Sequence, residues 1–190
     1  ARKPESIDSA VAQTHGTHGE LTGVVCAVGN ILLKPAHRTA DSEWDETIEL
    51  NLTAAFRTVR AAAKHVRSNA SVVLCSSAAA RIGMANHEAI AAAKAGIEGL
   101  TRAAAASYAS RKLRFNAVAP GLVDSAMASP ITQNEMVLKA STAMHALGRI
   151  GEADDVASAI AWLVSSETSW VTGQVIGVDG GLGSVLSRRR

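Results

Sequence analysis

Apolar positions along this chain recur in two rhythms. Short, mostly apolar runs occupy Gly23–Val28 (GVVCAV), Ser71–Cys75 (SVVLC), Leu113–Ala119 (LRFNAVA) and Gln174–Val178 (QVIGV). Val-rich runs of this length, without polar alternation, predict strands buried on both faces of a parallel sheet. Longer segments with helical spacing lie between them. In Asp41–Val66 the side chains of Trp44, Ile48, Leu52, Ala55, Phe56 and Val59 recur on one helical face, behind Asp41 or Ser42 as cap. Ala85–Ser110 consists almost wholly of helix formers, Asp154–Ser165 carries Val156, Ile160, Trp162 and Leu163, and Glu5–His15 is a weaker amphipathic helix. The order α-β-α-β-α-β-α-α-β predicts an α/β fold: one domain over residues 1–190, with crossover helices on both faces of a parallel sheet. Ligands of such sheets bind beyond the C-terminal ends of the strands, which singles out Gly29–Asn30, Ser76–Ser77, Pro120–Ser125 and Asp179–Gly183.

Composition narrows the class. With 47% apolar and 19% charged residues the 190-residue chain is folded rather than disordered. Aromatics are 3%, so small alanine-type side chains must pack helices closely onto the sheet. The net charge of +2 comes without a basic stripe, which removes support for nucleic-acid binding. No apolar stretch reaches the length of a membrane span, and Ala1–Pro4 lacks the pattern of a signal peptide. Cys26 and Cys75 each end an apolar run and read as buried free thiols of a reducing compartment, so a cytoplasmic location is expected. His15–Gly23 (HGTHGELTG) reads as a connecting loop; its His15 and His18 lack a third ligand nearby, so no metal site is expected. Residues 184–190 read as a flexible basic tail.

Taken in order, these segments resemble the short-chain dehydrogenase/reductase family. Gly23–Gly29 (GVVCAVG) resembles the family's fourth strand and its turn, and Trp44–Leu52 (WDETIELNL) the next helix with the catalytic Asn at Asn51. Val72–Ser77 (VVLCSS) resembles the fifth strand ending in the catalytic Ser, here Ser77, and Ala91–Gly96 (AAAKAG) the segment around the catalytic Lys, here Lys94. Arg114–Met127 (RFNAVAPGLVDSAM) resembles the sixth strand and the Pro-Gly cofactor loop, while Gly148–Ala157 (GRIGEADDVA) and Val171–Gly181 (VTGQVIGVDGG) resemble the last helix and strand. The resemblance runs from about Glu5 to Gly183. It implies a partial Rossmann-like, doubly wound parallel sheet without the family's first strands. It also implies NAD(P)-dependent reduction of a carbonyl or oxidation of a secondary alcohol, acting on a small molecule. NAD or NADP would be the cofactor, with Gly29, Asn51, Lys94, Pro120, Gly121, Val123 and Ser125 on its side of the site, and Met127–Ala146 would form a lid over the substrate. A homo-oligomer is expected, because the first strand here would otherwise present a bare edge.

Two departures qualify the resemblance. In the family a Tyr four residues before the Lys exchanges the proton with substrate, while the Lys lowers its pKa, the Ser fixes the substrate oxygen and the Asn orders a relay water. Here that position is Ile90, which has no proton to give; Asn51, Ser77 and Lys94 remain. His87, seven residues before Lys94 and close to the same helix face, is the candidate substitute acid/base; its other reading, shared with Glu88, is a first-turn surface residue. The second departure is the Gly-rich turn between a strand and a helix that holds the cofactor pyrophosphate, which this sequence does not carry, while Cys26-Ala27 stand where an Asn-Asn pair lines the adenosine side.

Each candidate has a plainer reading beside it. Ser76-Ser77 could open a turn, Lys94 could be a solvated charge, Pro120-Gly121 needs only turn chemistry, and Asp179-Gly180-Gly181 reads as structural. Asn51 is unfavourable inside a helix and signals a specific hydrogen bond. Tyr108 reads as packing or surface. A non-catalytic binding or assembly protein on the same fold is the alternative function. A hydrolase using Ser77, His87 and Glu88 is a distant one, since it lacks the G-x-S-x-G elbow.

Overall fold

The computed structural model describes residues 3–67 and 69–186. Four strands, β1 (Gly23–Cys26), β2 (Ser71–Cys75), β3 (Arg114–Pro120) and β4 (Val175–Val178), form one sheet in the order β1-β2-β3-β4. All neighbours are parallel, with Gly23 opposite Ser71, Ser71 opposite Arg114 and Ala117 opposite Val175. The C-terminal ends of all four strands therefore open on one edge, as the sequence implies. The helices are α1 (Ser6–His18), α2 (Asp41–Ile48), α3 (Ala54–His65), α4 (Glu88–Tyr108), α5 (Ser129–Thr132), α6 (Glu135–Met144) and α7 (Ala153–Val164).

Helix α1 outruns its expected end and closes at Gly19, whose φ of 79° suits glycine alone, so the loop expected over 15–23 shortens to 19–22. Among the described residues no cluster of three or more metal-ligating side chains forms around His15 and His18. The single helix expected over 41–66 is interrupted by a π-helical turn, Glu49–Thr53, between α2 and α3. Helix α4 starts at Glu88 rather than Ala85, since Asn86 sits at φ 64° and cannot continue a helix; it ends in a 3₁₀ turn closed by Lys112 at φ 56°.

Alternation along the strands divides the core. Val24, Val72, Leu74, Phe115, Ala117 and Val175 point to one face, where they meet Val59 of α3 and Ile97 of α4 in a cluster that reaches Val11 of α1. Ala55, Ala61, Ala62, Ala104 and Ala105 fill the same cluster, the close small-residue packing that the low aromatic content requires. Gly96 shows how close: a Cβ there would stand 2.8 Å from Leu52 Cδ2. Tyr108 packs on Phe115 with ring centroids 5.5 Å apart. The other face carries Val73, Cys75, Val118, Ile176 and Val178 against α7, whose Leu163 is fully buried. The end of α7 is tied to the sheet by hydrogen bonds that Leu163 O accepts from Ser71 Oγ (2.7 Å) and Arg114 Nη1 (3.1 Å). Both cysteines are free thiols; Cys26 is buried as expected, whereas Cys75 is only partly so. No described helix is long and apolar enough to cross a membrane. Within the expected tail, Ser184–Leu186 is exposed and 187–190 lie outside the described residues.

Candidate active site

At the C-terminal end of β1 the π-turn does local work. It widens the helix around Asn51 and buries that side chain to 1% exposure. Asn51 Nδ2 donates to Asn30 Oδ1 at 2.7 Å and to Thr47 O at 2.9 Å, the specific bonding that an Asn inside a helix signals. Its Oδ1 is buried without a protein partner. A Cβ at position 29 would lie 2.5 Å from that oxygen and 3.6 Å from Lys94 Nζ, so Gly29 is what lets the two side chains converge on the strand end. Lys94, 8% exposed in the middle of α4, donates from Nζ to Cys75 O at 2.8 Å. It is a buried ammonium held by a strand-end carbonyl rather than a solvated charge. Burial pushes its pKa below the ordinary lysine value, only partly opposed by the cysteines, and burial likewise pushes the Cys75 thiol up.

One turn further along the sheet edge, Ser77 follows β2. Its Oγ accepts from Ala79 N at 3.2 Å, capping a short 3₁₀ turn, so the plain turn reading holds and the hydroxyl proton remains available. Ser77 borders a cavity of about 200 Å³ shared with His87, Ile90, Pro120 and Gly121. Ile90, 5% exposed, presents a hydrocarbon wall where the family resemblance implies a phenol. His87 is the residue that opens α4, and its Nδ1 lies 2.8 Å from Ala85 O. A carbonyl can only accept, so Nδ1 carries a proton, which in the neutral ring leaves the lone pair on Nε2. Glu88 turns away, its Oε1 accepting from Ala36 N at 3.4 Å, so it does not complete a Ser-His-acid arrangement with Ser77 and His87.

The sequence reading did not find His145. It follows α6 and is 4% exposed, with Nδ1 donating to Ser141 O (2.7 Å) and Nε2 accepting from Leu122 N (3.2 Å). A Cβ on Gly121 would meet its Nε2 at 2.6 Å, so Gly121 is glycine because this ring packs on the loop after β3. His145 thus joins the Met127–Ala146 segment to the Pro120-Gly121 loop and walls the cavity. Its partners stand 23 and 4 residues away and are backbone atoms, so no motif could mark it.

The predicted residues fall into two groups. Asn51, Gly29 and Lys94 form one, and Ser77, His87, Pro120 and Gly121 form the other around the cavity. Val123 and Ser125 belong to neither: Val123 bridges to Gly151, and Ser125 Oγ accepts from Ala128 N at 3.3 Å. Asp179 is structural as read, its carboxylate accepting from Gly181 N and Gly183 N, both at 2.9 Å.

A nicotinamide cofactor would meet the first group. Asn51 Oδ1, buried without a partner, and Lys94 Nζ, both close to the Gly29 backbone, are an acceptor and a donor of the chemistry that would pair with ribose hydroxyls. A family profile described as enoyl-(acyl carrier protein) reductase matches residues 1–183. The 3-oxoacyl-(acyl-carrier-protein) reductase FabG of Thermotoga maritima is 37% identical over 147 residues, covering 76% of this chain and 59% of that protein. FabG of Salmonella typhimurium is 32% identical over 185 residues, covering 94% of this chain and 73% of its own length. The chain thus spans roughly three fifths to three quarters of these relatives. Among solved structures, the aldohexose dehydrogenase of Thermoplasma acidophilum superposes with a TM-score of 0.91 at 26% identity, over 100% of this chain and 78% of that one. A short-chain type dehydrogenase/reductase from Mycobacterium ulcerans gives 0.91 at 28% identity, over 98% and 69%. The chain belongs to the short-chain dehydrogenase/reductase family.

Proposed function

We propose that this chain is an NAD(P)-linked oxidoreductase module that acts on a carbonyl or secondary alcohol, with His87 as its proton-exchanging group. The observation that carries the reading is the convergence of Asn51, Gly29 and Lys94 at the ends of β1 and β2, beside a cavity bordered by Ser77 and His87. A nicotinamide, when bound, supplies or accepts a hydride. The chain's own residues do the rest. Lys94 holds a buried positive charge at the strand edge, and Asn51 offers an acceptor fixed by its bonds to Asn30 and Thr47. Ser77 can donate its hydroxyl proton to a substrate oxygen. Gaining or losing a proton at that oxygen falls to His87 Nε2, because Ile90 has none to exchange.

A second reading is favoured by Ile90 itself. Its buried methyls leave the cavity without an acid on the α4 face beyond His87, which suits a module that binds without turnover. Calorimetric titration with NADH and NADPH, followed by turnover of a ketone panel, separates the two. The catalytic reading expects binding of one nicotinamide below millimolar concentration, and a drop in kcat of about 100-fold or more in His87→Ala. Unchanged turnover in His87→Ala removes the role of His87, and absence of cofactor binding removes the oxidoreductase reading.

The reading extends to self-association and compartment. β1 pairs with β2 alone among the described strands, and Val25 stays 46% exposed on it, an edge that favours coverage by a second copy. The free thiols suit the reducing conditions of the cytoplasm.

A further inference from the structure

The cavity beside Ser77 has an almost wholly apolar lining. Among the described residues no Asp, Glu, Lys or Arg borders it. Four exposed large apolar side chains, Ile31 (40%), Leu33 (41%), Val137 (41%) and Met144 (43%), border it, together with the buried wall of Ile90. Apolar area of this kind, gathered round one hollow, marks a surface meant to be covered. Its polar capacity is nearly spent. Both nitrogens of His145 are committed, to Ser141 O and to Leu122 N, and one nitrogen of His87 is committed to Ala85 O. Among the described side chains that line it, the Ser77 and Ser141 hydroxyls and His87 Nε2 remain.

We infer that the ligand of this cavity is an uncharged, compact hydrocarbon bearing a single oxygen: an alicyclic or short-chain ketone, or its alcohol. The inference rests on reading this cavity as the substrate side of the site, and it adds the substrate class. A polyol would bury several hydroxyls opposite methyl groups, and each unpaired one costs free energy with nothing to offset it. A carboxylate would be desolvated with no cation on the wall. Size sets a further limit: an apolar cavity of 150 Å³ accepts benzene, so about 200 Å³ accommodates about six to eight carbon atoms.

The test is direct binding, measured without any nicotinamide so that it stands apart from the oxidoreductase reading. 4-Methylcyclohexanone, 2-octanone, cyclohexanecarboxylate and glucose are titrated into the whole chain, followed by calorimetry and by methyl NMR shifts of Ile31 and Met144. The two ketones are expected to bind at least about tenfold more tightly than the acid and the sugar, with shifts centred on those methyls. Met144→Glu places a carboxylate at the rim of the cavity, at a position already half exposed. It is expected to weaken the ketones at least about tenfold while leaving the circular dichroism unchanged. Equal affinity for glucose or cyclohexanecarboxylate, no binding of either ketone at millimolar concentration, or undiminished binding in Met144→Glu would each overturn the inference. Ketone binding in a protein that takes up neither NADH nor NADPH would leave this inference standing and remove the oxidoreductase reading instead.

Discussion

The two faces of the sheet are built from the same residue types and end up in different states. On one face Val72, Leu74, Phe115 and Ala117 are completely buried beneath α3 and α4, with α1 behind α3. On the other face the apolar side chains that are fully enclosed among the described residues are Val73, Val118 and Leu163, α7 is the long described helix packed there, and Trp162 on it is half exposed. Adjacent residues of one strand show the contrast most directly: Val24 joins the larger cluster while Val25 keeps 46% of its surface. Side-chain type sets the capacity to stabilise; the neighbours decide how much of that capacity is realised.

Three measurements break or sharpen this comparison. The largest effect is expected on the covered face. Phe115→Ala removes a ring with 0% exposure, and should cost about 3–5 kcal/mol in urea unfolding, whereas Leu163→Ala on the other face should fall towards 2 kcal/mol, because its partly exposed neighbours can settle into the space. Equal losses would show that the two faces are equally rigid.

The covered face also carries a liability, the Lys94 ammonium of α4. Burial lowers its folded-state pKa below the ordinary 10.5, so between those values the unfolded chain binds more protons and stability rises with pH. Cys75 works the other way. Its folded pKa is raised above the ordinary 9.0, so its contribution is present below that value and is lost as pH rises through the folded one. Urea unfolding from pH 7 to 10.5 in a Cys75→Ala background isolates the first effect. Lys94→Met in that background should flatten the rise; an identical slope in both proteins would mean that the lysine is not buried as described.

The smallest effect belongs to the open face. Val25→Thr keeps the branched shape at a half-exposed site, and should shift unfolding by no more than about 0.5 kcal/mol. A loss of about 1 kcal/mol or more at protein concentrations that favour association, shrinking on dilution, would show that a second copy covers this face.

Part of the candidate site was legible in the sequence. An Asn inside a helix is unfavourable without a partner, whereas Lys94 was marked by the family resemblance alone, and the two side chains do find partners at Asn30, Thr47 and Cys75 O. Ser77 was marked by following a buried strand. His87 was placed by its spacing from Lys94, yet the structure separates them: His87 precedes the helix and borders the cavity, and Lys94 turns to the strand end. His145 and the π-turn at Glu49–Thr53 left no trace in the pattern. One depends on backbone atoms of a distant loop, and the other is a single-turn change in helical pitch that side-chain periodicity barely registers.

By itself the sequence determined the parallel α/β order and the edge on which the strand ends gather, because short Val-rich runs between helical segments leave crossover connections as the sound solution. It also determined that the position four residues before Lys94 lacks a proton donor, since Ile90 is isoleucine in any fold. Tertiary structure alone decided which face of the sheet is sealed and that Gly29 and Gly121 are the openings through which Asn51, Lys94 and His145 approach. It also gathered Ile31, Leu33, Val137 and Met144, far apart in the chain, into one uncharged hollow. Periodicity reports what a segment needs to bury, whereas burial and contact depend on segments that meet only when the chain closes.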